Sequence, residues 1–168
     1  MIVAPAPVER VFNNAHECAL YLRPLRAAGK TLVTTNGCFD ILHTGHVRYL
    51  TEAAQKGDLL VVGVNADAVV RRLKGDDRPL RSEADRVLTV AALAMVDAAF
   101  IFRQDDPREF IEELKPDLHV KGGDYTKDII EREAVERNGG KVVIVPYVDG
   151  FSTTSIVKKI RRENKQRL

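Results

Sequence analysis

Residues 31–50 read TLVTTNGCFDILHTGHVRYL, and this stretch decides the fold. Its opening residues are rich in β-branched side chains and predict a short strand over 31–36. A polar turn follows, and the next segment predicts a helix with Thr44 as its N-cap. Two histidines, His43 and His46, stand three residues apart at the start of that helix.

Strands and helices continue to alternate along the rest of the chain. The continuous apolar run 58–65 predicts a strand buried on both faces, and 98–102, 117–123 and 141–148 predict three more. Short connections between such elements predict right-handed crossovers. We therefore expect an α/β fold, a Rossmann-like doubly wound five-stranded parallel sheet with helices on both faces. Helices are predicted at 13–30, 44–57, 66–75, 82–96, 106–116, 127–140 and 152–164, the first with a weak point at Pro24.

Size and composition bound the class of protein. The chain has 168 residues, which suits one core, and we divide it into an N-terminal helical extension, 1–30, and a domain, 31–168. Hydrophobic residues make up 45% and charged residues 30%, as in globular proteins. The sequence has no apolar run of membrane-spanning length and its start does not resemble a signal peptide, so we expect a cytoplasmic protein without a membrane partner.

The cysteines and the basic C-terminal segment do not indicate a metal site or a nucleic-acid site. Cys18 and Cys38 do not form a metal-type cluster with other ligands. The segment KKIRRENKQR, 158–167, collects six basic residues but no aromatic ones, so we interpret it as a solvated helix end and expect no nucleic-acid partner.

Three polar segments follow predicted strands and should meet at one edge of the sheet. They are NGCFDILHTGH at 36–46, VKGGDY at 120–125 and YVDGFSTT at 147–154. Ligands of open parallel sheets bind beyond the carboxyl ends of the strands. We therefore expect the functional site where these segments converge.

The histidine pair has four possible roles. Zinc would need further ligands, and none stands at metal spacing. A nucleophile would need a positioned base, with Cys38 as the one candidate nearby; core packing fits poorly with Thr44 and Gly45 between the rings. Contact with phosphate is favoured, because a helix start offers unpaired N–H groups and the positive end of the dipole.

Five motifs then occur in one order along the chain: NGCFDILHTGH, VNADAVVRRLKG, RPLRSEADR, VKGGDY and DGFSTTSIVKKI. With its HxGH element, the chain resembles the nucleotidyltransferase superfamily, which includes cytidylyltransferases and adenylyltransferases. The whole set resembles the heptose 1-phosphate adenylyltransferases within it. That resemblance implies transfer of AMP from ATP to a sugar 1-phosphate, for lipopolysaccharide biosynthesis.

The resemblance also implies a role for individual residues. The predicted catalytic residues are His43, His46 and Lys74. The predicted nucleotide-binding residues are Asn36, Gly37, Cys38, Phe39, Gly45, Lys121, Gly122, Gly123, Ser152, Thr153 and Thr154. The predicted substrate-binding residues are Asp40, Lys74, Arg86, Asp124 and Tyr125.

Simpler interpretations of several of these residues stay open. Asp40 could merely form the turn, Lys74 could be a surface lysine, and Arg86 could pair with Glu83 in its own helix. Arg78, in the same loop as Lys74, is a weaker candidate for a phosphate contact, as is Arg81. Cys38 stands where cytidylyltransferases usually have threonine, and the arginine that they carry before the last motif is missing, which favours ATP over CTP.

The expected cofactor is Mg²⁺, bound mainly through the ATP phosphates, with no metal site of the protein's own. The expected partners are ATP and a sugar 1-phosphate, and the resemblance suggests a homodimer. Two other functions stay open. One is a cytidylyltransferase acting on glycerol 3-phosphate or another small phosphate, and the other is a nucleotide-binding module without turnover.

Overall fold

The computed structural model of the protein describes residues 6–123 and 129–146, together with residues 153, 156, 157, 159, 160 and 162. Its centre is a six-stranded sheet in which every pairing between neighbours is parallel. In space the strand order is β1-β4-β3-β2-β5-β6. The strands are β1 (Val11–Phe12), β2 (Leu32–Gly37), β3 (Leu59–Asn65), β4 (Ala98–Phe102), β5 (Leu118–Gly122) and β6 (Lys141–Val145).

Helices connect the strands and cover both faces of the sheet. None of the helices among the described residues is both long and apolar enough to pass through a membrane. A 3-10 turn spans Pro7–Arg10, and the described residues after 152 are helical, within the helix predicted there. The helices are α1 (Ala15–Ala27), α2 (Thr44–Ala54), α3 (Asp67–Lys74), α4 (Glu83–Ala91), α5 (Arg108–Leu114) and α6 (Arg132–Arg137).

Strand β3 shows why the sheet is covered twice. All seven of its residues are buried. Because successive side chains of a strand point to opposite faces, Leu60 and Val62 pack into the core under α2, α3 and α4. Leu59 and Val61 pack into the second core, under α1, α5 and α6. The predicted doubly wound α/β fold is confirmed.

The predicted number of strands was one too low. The sixth strand, β1, comes from the N-terminal segment that we expected to be only helical, and it pairs Val11 with Ala99 and Phe12 with Phe100. Two residues are too short a run to show a strand period in the sequence. The helix of the same segment, α1, buries Cys18 in the second core, and the division at residue 30 stays a prediction.

Several helices differ from their predicted course; α6, for example, spans Arg132–Arg137, whereas a helix was predicted at 127–140. Helix α1 continues through Pro24 to Ala27, so the expected weak point does not end it. Helix α4 ends at Ala91, whereas the apolar pattern predicted a helix to residue 96. The last residues of that pattern form a turn, and Val96 is buried in the core. The helix was predicted too long because an apolar run indicates burial and does not distinguish a buried turn from a helix.

Three aspartates tie the strands together at the opposite, amino-terminal edge of the sheet. Asp58 directly precedes β3, Asp97 directly precedes β4 and Asp117 directly precedes β5. Each side chain accepts a hydrogen bond from a backbone N–H at or next to the start of a neighbouring strand. Asp58 accepts from Thr31 at 2.8 Å, Asp97 from Leu60 at 2.8 Å and Asp117 from Leu32 at 2.7 Å. Each carboxylate thus satisfies a backbone donor that the parallel ladder leaves unpaired.

His119 on β5 gives the fold a testable pH dependence. Its ring is fully buried, Nδ1 lies 2.8 Å from the Thr34 hydroxyl, and burial lowers the pKa of the imidazole to about 3. In the unfolded chain the pKa returns to about 6.5, so protons bind the unfolded state more strongly. The stabilisation is complete above about pH 6.5 and is lost as the pH falls towards the folded value.

We expect His119 alone to lower the free energy of unfolding by about 2 kcal/mol between pH 7 and pH 5. His119→Asn should weaken the protein at pH 7 but reduce this pH-dependent loss by about the same amount. Urea unfolding at pH 7, 6 and 5 measures both quantities. If the free energy of unfolding of the variant depended on pH as steeply as that of the wild type, His119 would not be a neutral buried imidazole.

Candidate active site

The turn after β2 forms the floor of the candidate site. Gly37 ends the strand, and Phe39 adopts the left-handed conformation, with a φ of 48°, that side chains rarely take. A Cβ atom on Gly37 would lie 3.1 Å from Cε2 of the Phe39 ring. Gly37 is therefore explained by packing, because the ring folds back over it. The Phe39 ring also lies 5.3 Å from the His46 ring, centroid to centroid.

His43 and His46 form a stacked pair at the start of α2. Their ring centroids are 3.8 Å apart and the ring planes differ by 24°. Within the described part of the chain, the Nδ1 atom of each ring is buried and has no hydrogen-bond partner. Burial lowers the pKa of His43. Burial, and then the charges of His43 and Lys74, lower the pKa of His46 to about 4, so its ring is neutral near pH 7.

Helix α2 begins one residue earlier than predicted. His43 is its N-cap and Thr44 its first residue, so the prediction of Thr44 as N-cap was wrong. Among the described residues no side-chain capping hydrogen bond is made at His43, so the first N–H groups of the helix can bind an anion, with Gly45 in the first turn. The two histidines thus lie at a helix start, as expected, and among the described residues their Nδ1 atoms have no hydrogen-bond partner; binding of phosphate there stays a prediction.

Lys74 ends α3 and reaches the same turn. Its charge contributes, after burial and the charge of His43, to the lowered pKa of His46, and it partly offsets the raised pKa of Cys38. Burial is the larger effect on Cys38 and raises the pKa of that thiol, whose Sγ lies 3.8 Å from Oδ1 of Asn65. Lys74 forms no ion pair with any residue that the structure describes. The ammonium group of Lys74 is thus close enough to His46 to affect its titration, and the catalytic role of Lys74 stays a prediction.

Asp40 faces the loop between α3 and α4. Its carboxylate is buried, and Oδ1 accepts hydrogen bonds from the backbone N–H groups of Leu80 at 2.8 Å and Arg81 at 3.2 Å. Oδ2 lies 2.6 Å from Nη2 of Arg78. Asp40 is therefore more than a residue that forms the turn, since it fastens a second loop to the turn.

Arg86 is almost fully buried, and protein groups occupy its guanidinium. Nη1 donates to the carbonyl of Cys38 at 2.6 Å, and Nε donates to the carbonyl of Arg81 at 3.0 Å. Nη2 donates to the carbonyl of Asn65 and to Asp67, both at 2.7 Å. The ion pair that we considered with Glu83 is instead made with Asp67.

Lys121 lies at the point where the strand order reverses, between β2 and β5. Its ammonium group lies 3.3 Å from Oδ1 of Asn36 and forms an ion pair with Glu131, whose side chain is buried. Sequence reasoning missed Glu131, because a glutamate in a helical segment looks like a solvated residue. A crevice at such a reversal is the usual ligand site of open parallel sheets.

The remaining predicted residues lie near this crevice or outside the described residues. Gly122 ends β5, and Gly123, with a φ of 129°, donates its N–H to the carbonyl of Val145 at 3.0 Å. Thr153 is buried, and its hydroxyl lies 3.5 Å from the carbonyl of Ile41, next to the histidine turn. Four predicted site residues lie outside the described residues: Asp124, Tyr125, Ser152 and Thr154.

A separate surface cavity of about 520 Å³ lies beyond the end of β4, lined in part by His16, Arg103 and Glu113. None of the predicted site residues lines it. The model of the cytidylyltransferase-like family matches residues 34–164, from β2 to the last helical residues.

The chain belongs to the cytidylyltransferase-like family. This confirms the predicted membership of the nucleotidyltransferase superfamily. The matched region of this cytidylyltransferase-like chain contains every residue that we predicted for the site, although the match itself assigns no role to any of them.

Individual relatives agree with the family. The bifunctional protein HldE of Geotalea uraniireducens is 53% identical over 150 residues, which are 89% of this chain and 31% of that protein. HldE of Nitratiruptor sp. is 46% identical over 160 residues, 95% of this chain and 34% of that protein. The chain thus spans about a third of the length of these curated relatives.

A solved structure has the same fold. The lipopolysaccharide core biosynthesis protein from Thermoplasma volcanium superposes with a TM-score of 0.61 and 34% sequence identity. The superposition covers 71% of this chain and 98% of that one.

The unpartnered imidazoles predict how the site of this cytidylyltransferase-like chain responds to an anion. An anion near a titrating base favours its charged form, so pyrophosphate should raise the pKa of His46 from about 4 and raise that of His43 as well. A ¹H–¹⁵N NMR titration of the imidazoles, with and without pyrophosphate, measures this. Buried His119 is the internal control and should not respond. An unchanged His46 titration at saturating pyrophosphate would remove the pair from phosphate binding.

Proposed function

We propose that this chain transfers AMP from ATP to D-glycero-D-manno-heptose 1-phosphate, giving ADP-heptose and pyrophosphate. The observation that carries the nucleotidyl transfer is the stacked pair of His43 and His46, with unpartnered nitrogens, at an uncapped helix start beside Lys74. Two buried imidazole nitrogens without partners are costly unless a ligand satisfies them. Phosphate oxygens have the charge and the acceptor geometry to do so.

The heptose acceptor has separate support. The five motifs occur in the order typical of heptose 1-phosphate adenylyltransferases. Two curated relatives carry the name HldE, and the Thermoplasma neighbour is described as a lipopolysaccharide core biosynthesis protein. Because the chain spans only about a third of those curated relatives, their other activities are not carried over to it.

The proposed step needs little from the protein beyond position and charge. An oxygen of the sugar 1-phosphate attacks the α-phosphorus of ATP and forms the new P–O bond. The bond between the α-phosphorus and the oxygen bridging to the β-phosphorus breaks, and its electron pair leaves with pyrophosphate. The attacking oxygen is already anionic, so the reaction requires no strong general base.

The residues of the site would then divide the work. The neutral imidazoles of His43 and His46 each have one N–H that can donate to a phosphate oxygen, and the start of α2 supplies further donors. The Lys74 ammonium reduces the repulsion between two anionic reactants near the same turn. Holding both reactants in line contributes up to about 7–11 kcal/mol to lowering the barrier.

Mg²⁺ is the proposed cofactor, and it would arrive with ATP. Among the described residues, His, Cys, Asp and Glu form no group of three placed to hold a metal ion. Asp40, the carboxylate nearest the histidines in sequence, is engaged by Leu80, Arg81 and Arg78. The residues therefore fit an ion held by phosphate oxygens and water, whose charge neutralises those oxygens. The homodimer and the cytoplasmic location stay predictions.

A grid of substrates tests the proposed function. Pyrophosphate release is measured for ATP, CTP, GTP and UTP, each with heptose 1-phosphate, glycerol 3-phosphate and phosphopantetheine. We expect magnesium-dependent release with ATP and heptose 1-phosphate, and at least about tenfold lower kcat/KM with CTP, equivalent to about 1.4 kcal/mol. Preference for CTP with glycerol 3-phosphate would favour the cytidylyltransferase alternative. No release with any pair would favour a binding module.

His46→Asn tests the role of the histidine pair in turnover. Removing a donor aimed at the reacting phosphates should lower kcat on the order of 10²-fold. Thermal stability should change little, because the ring has no hydrogen-bond partner at Nδ1 to lose. His16→Asn is the matched control, since that side chain is 68% exposed on α1 and lies outside the site. A stable His46 variant with a near-normal rate would exclude His46 from the mechanism.

A further inference from the structure

The loop between α3 and α4, residues 75–82, is held against the histidine turn by buried charges. Asp40 accepts two backbone N–H groups of this loop, from Leu80 and Arg81, and pairs with Arg78. Arg86 donates to the carbonyl of Arg81 in the loop and to the carbonyl of Cys38 in the turn. The loop therefore keeps a defined position at the edge of the site.

The loop presents Arg78 in an unusual state. Its side chain is only 11% exposed, and Nη2 lies 2.6 Å from Oδ2 of Asp40. Its Nε is buried and has no hydrogen-bond partner among the described residues. A buried guanidinium N–H without a partner is rare, and it is the group that forms paired hydrogen bonds with phosphate. Arg78 is thus anchored at one nitrogen and unsatisfied at another.

The contacts of Arg78 differ from those of the histidine pair. Arg78 contacts Asp40, three residues before the N-cap His43, and its loop is joined through Arg86 to the carbonyl of Cys38. The His43 and His46 rings contact each other, and the His46 ring also contacts Phe39. Arg78 and the two imidazoles therefore make different contacts around the same turn.

We propose that Arg78, held in position by Asp40, binds the phosphate group of the acceptor. This proposal rests on the proposed function, since it assigns the ATP phosphates to the histidine pair and the second anion to the loop. Lys74 then bridges the two anions, and Asp40 acts as a positioning residue that touches neither. The buried Nε and the adjoining nitrogens of Arg78 supply the donors that a phosphate group requires.

The alternative is that Arg78 only neutralises the buried Asp40 carboxylate. A double variant separates the two roles. Arg78→Gln removes the cation but leaves the carboxylate buried and unpaired, which could disturb the loop. Asp40→Asn with Arg78→Gln removes both charges, and the new amide oxygen still accepts hydrogen bonds from Leu80 and Arg81. If Arg78 only balances charge, the double variant regains wild-type kinetics.

We expect Arg78→Gln to raise the KM for the acceptor at least tenfold while the KM for ATP changes less than twofold. The double variant should keep the raised acceptor KM, and Arg78→Lys should restore it in part. Arg71→Gln, which removes an exposed arginine from α3, is the matched control and should leave both constants unchanged. A double variant with a wild-type acceptor KM, or an equal rise in both KM values, would overturn the proposal.

A binding assay separates failure of this proposal from failure of the proposed function. Cys38 is partly exposed, and burial raises the pKa of its thiol while the charges of Lys74 and Arg78 partly offset that rise; Cys18 is fully buried with a pKa raised to about 12 and should not react. Inorganic phosphate bound at Arg78 offsets those cations and should slow the alkylation of Cys38 by iodoacetamide. Arg78→Gln should abolish that protection.

Together, the two assays can reject the proposed function and the phosphate site at Arg78 independently of each other. Wild-type protein that shows Arg78-dependent protection but no turnover with heptose 1-phosphate would reject the function and keep the phosphate site. Wild-type protein that turns over heptose 1-phosphate without protection of Cys38 by phosphate would reject the site and keep the function.

Discussion

Strand β2 pairs with β3 on one side and with β5 on the other, and the candidate site depends on this position. The chain continues from β2 to β3 and β4 in one direction, while β5 and β6 lie in the other. A crevice therefore opens at the carboxyl end of β2, where no crossover helix can cover both neighbours. The histidine turn follows β2, and Lys121 of the neighbouring β5 lies 3.3 Å from Oδ1 of Asn36 and pairs with Glu131.

Groups that the fold leaves unsatisfied characterise the site. The start of α2 has no side-chain cap, and two imidazole nitrogens are buried without partners. Elsewhere near the turn, charges are matched closely, with Asp40 against Arg78 and Arg86 against Asp67. The matched pairs fix the backbone, and the donors without partners are those that we propose to bind an anion. Burying a polar group without a partner costs free energy, so most buried polar groups in a stable protein are paired. In a binding site, a ligand can supply the missing partner.

The sequence was sufficient for the fold class because each strand is a distinct apolar run and each connection is short. It was not sufficient for β1, whose two residues show no period, or for the end of α4, where an apolar turn imitates a helix. In the site, the HxGH spacing was enough to predict that the two histidines lie on the same side of the first helical turn, where their rings stack. The partners of Asp40 and Arg86 could not be predicted, because backbone groups some 40 residues away in the chain have no residue-type signature.

The three aspartates at the amino-terminal edge affect the opposite end of the molecule. Each ties the start of one strand to the start of its neighbour, and the side chains of Asp58 and Asp117 thereby fix both flanks of β2. A slip of one residue would shift a strand by about 3.3 Å and turn its side chains to the other face. The carboxylates thus fix the register of β2, and the register determines where the histidine turn lies relative to Asn65 and Lys121 on the neighbouring strands.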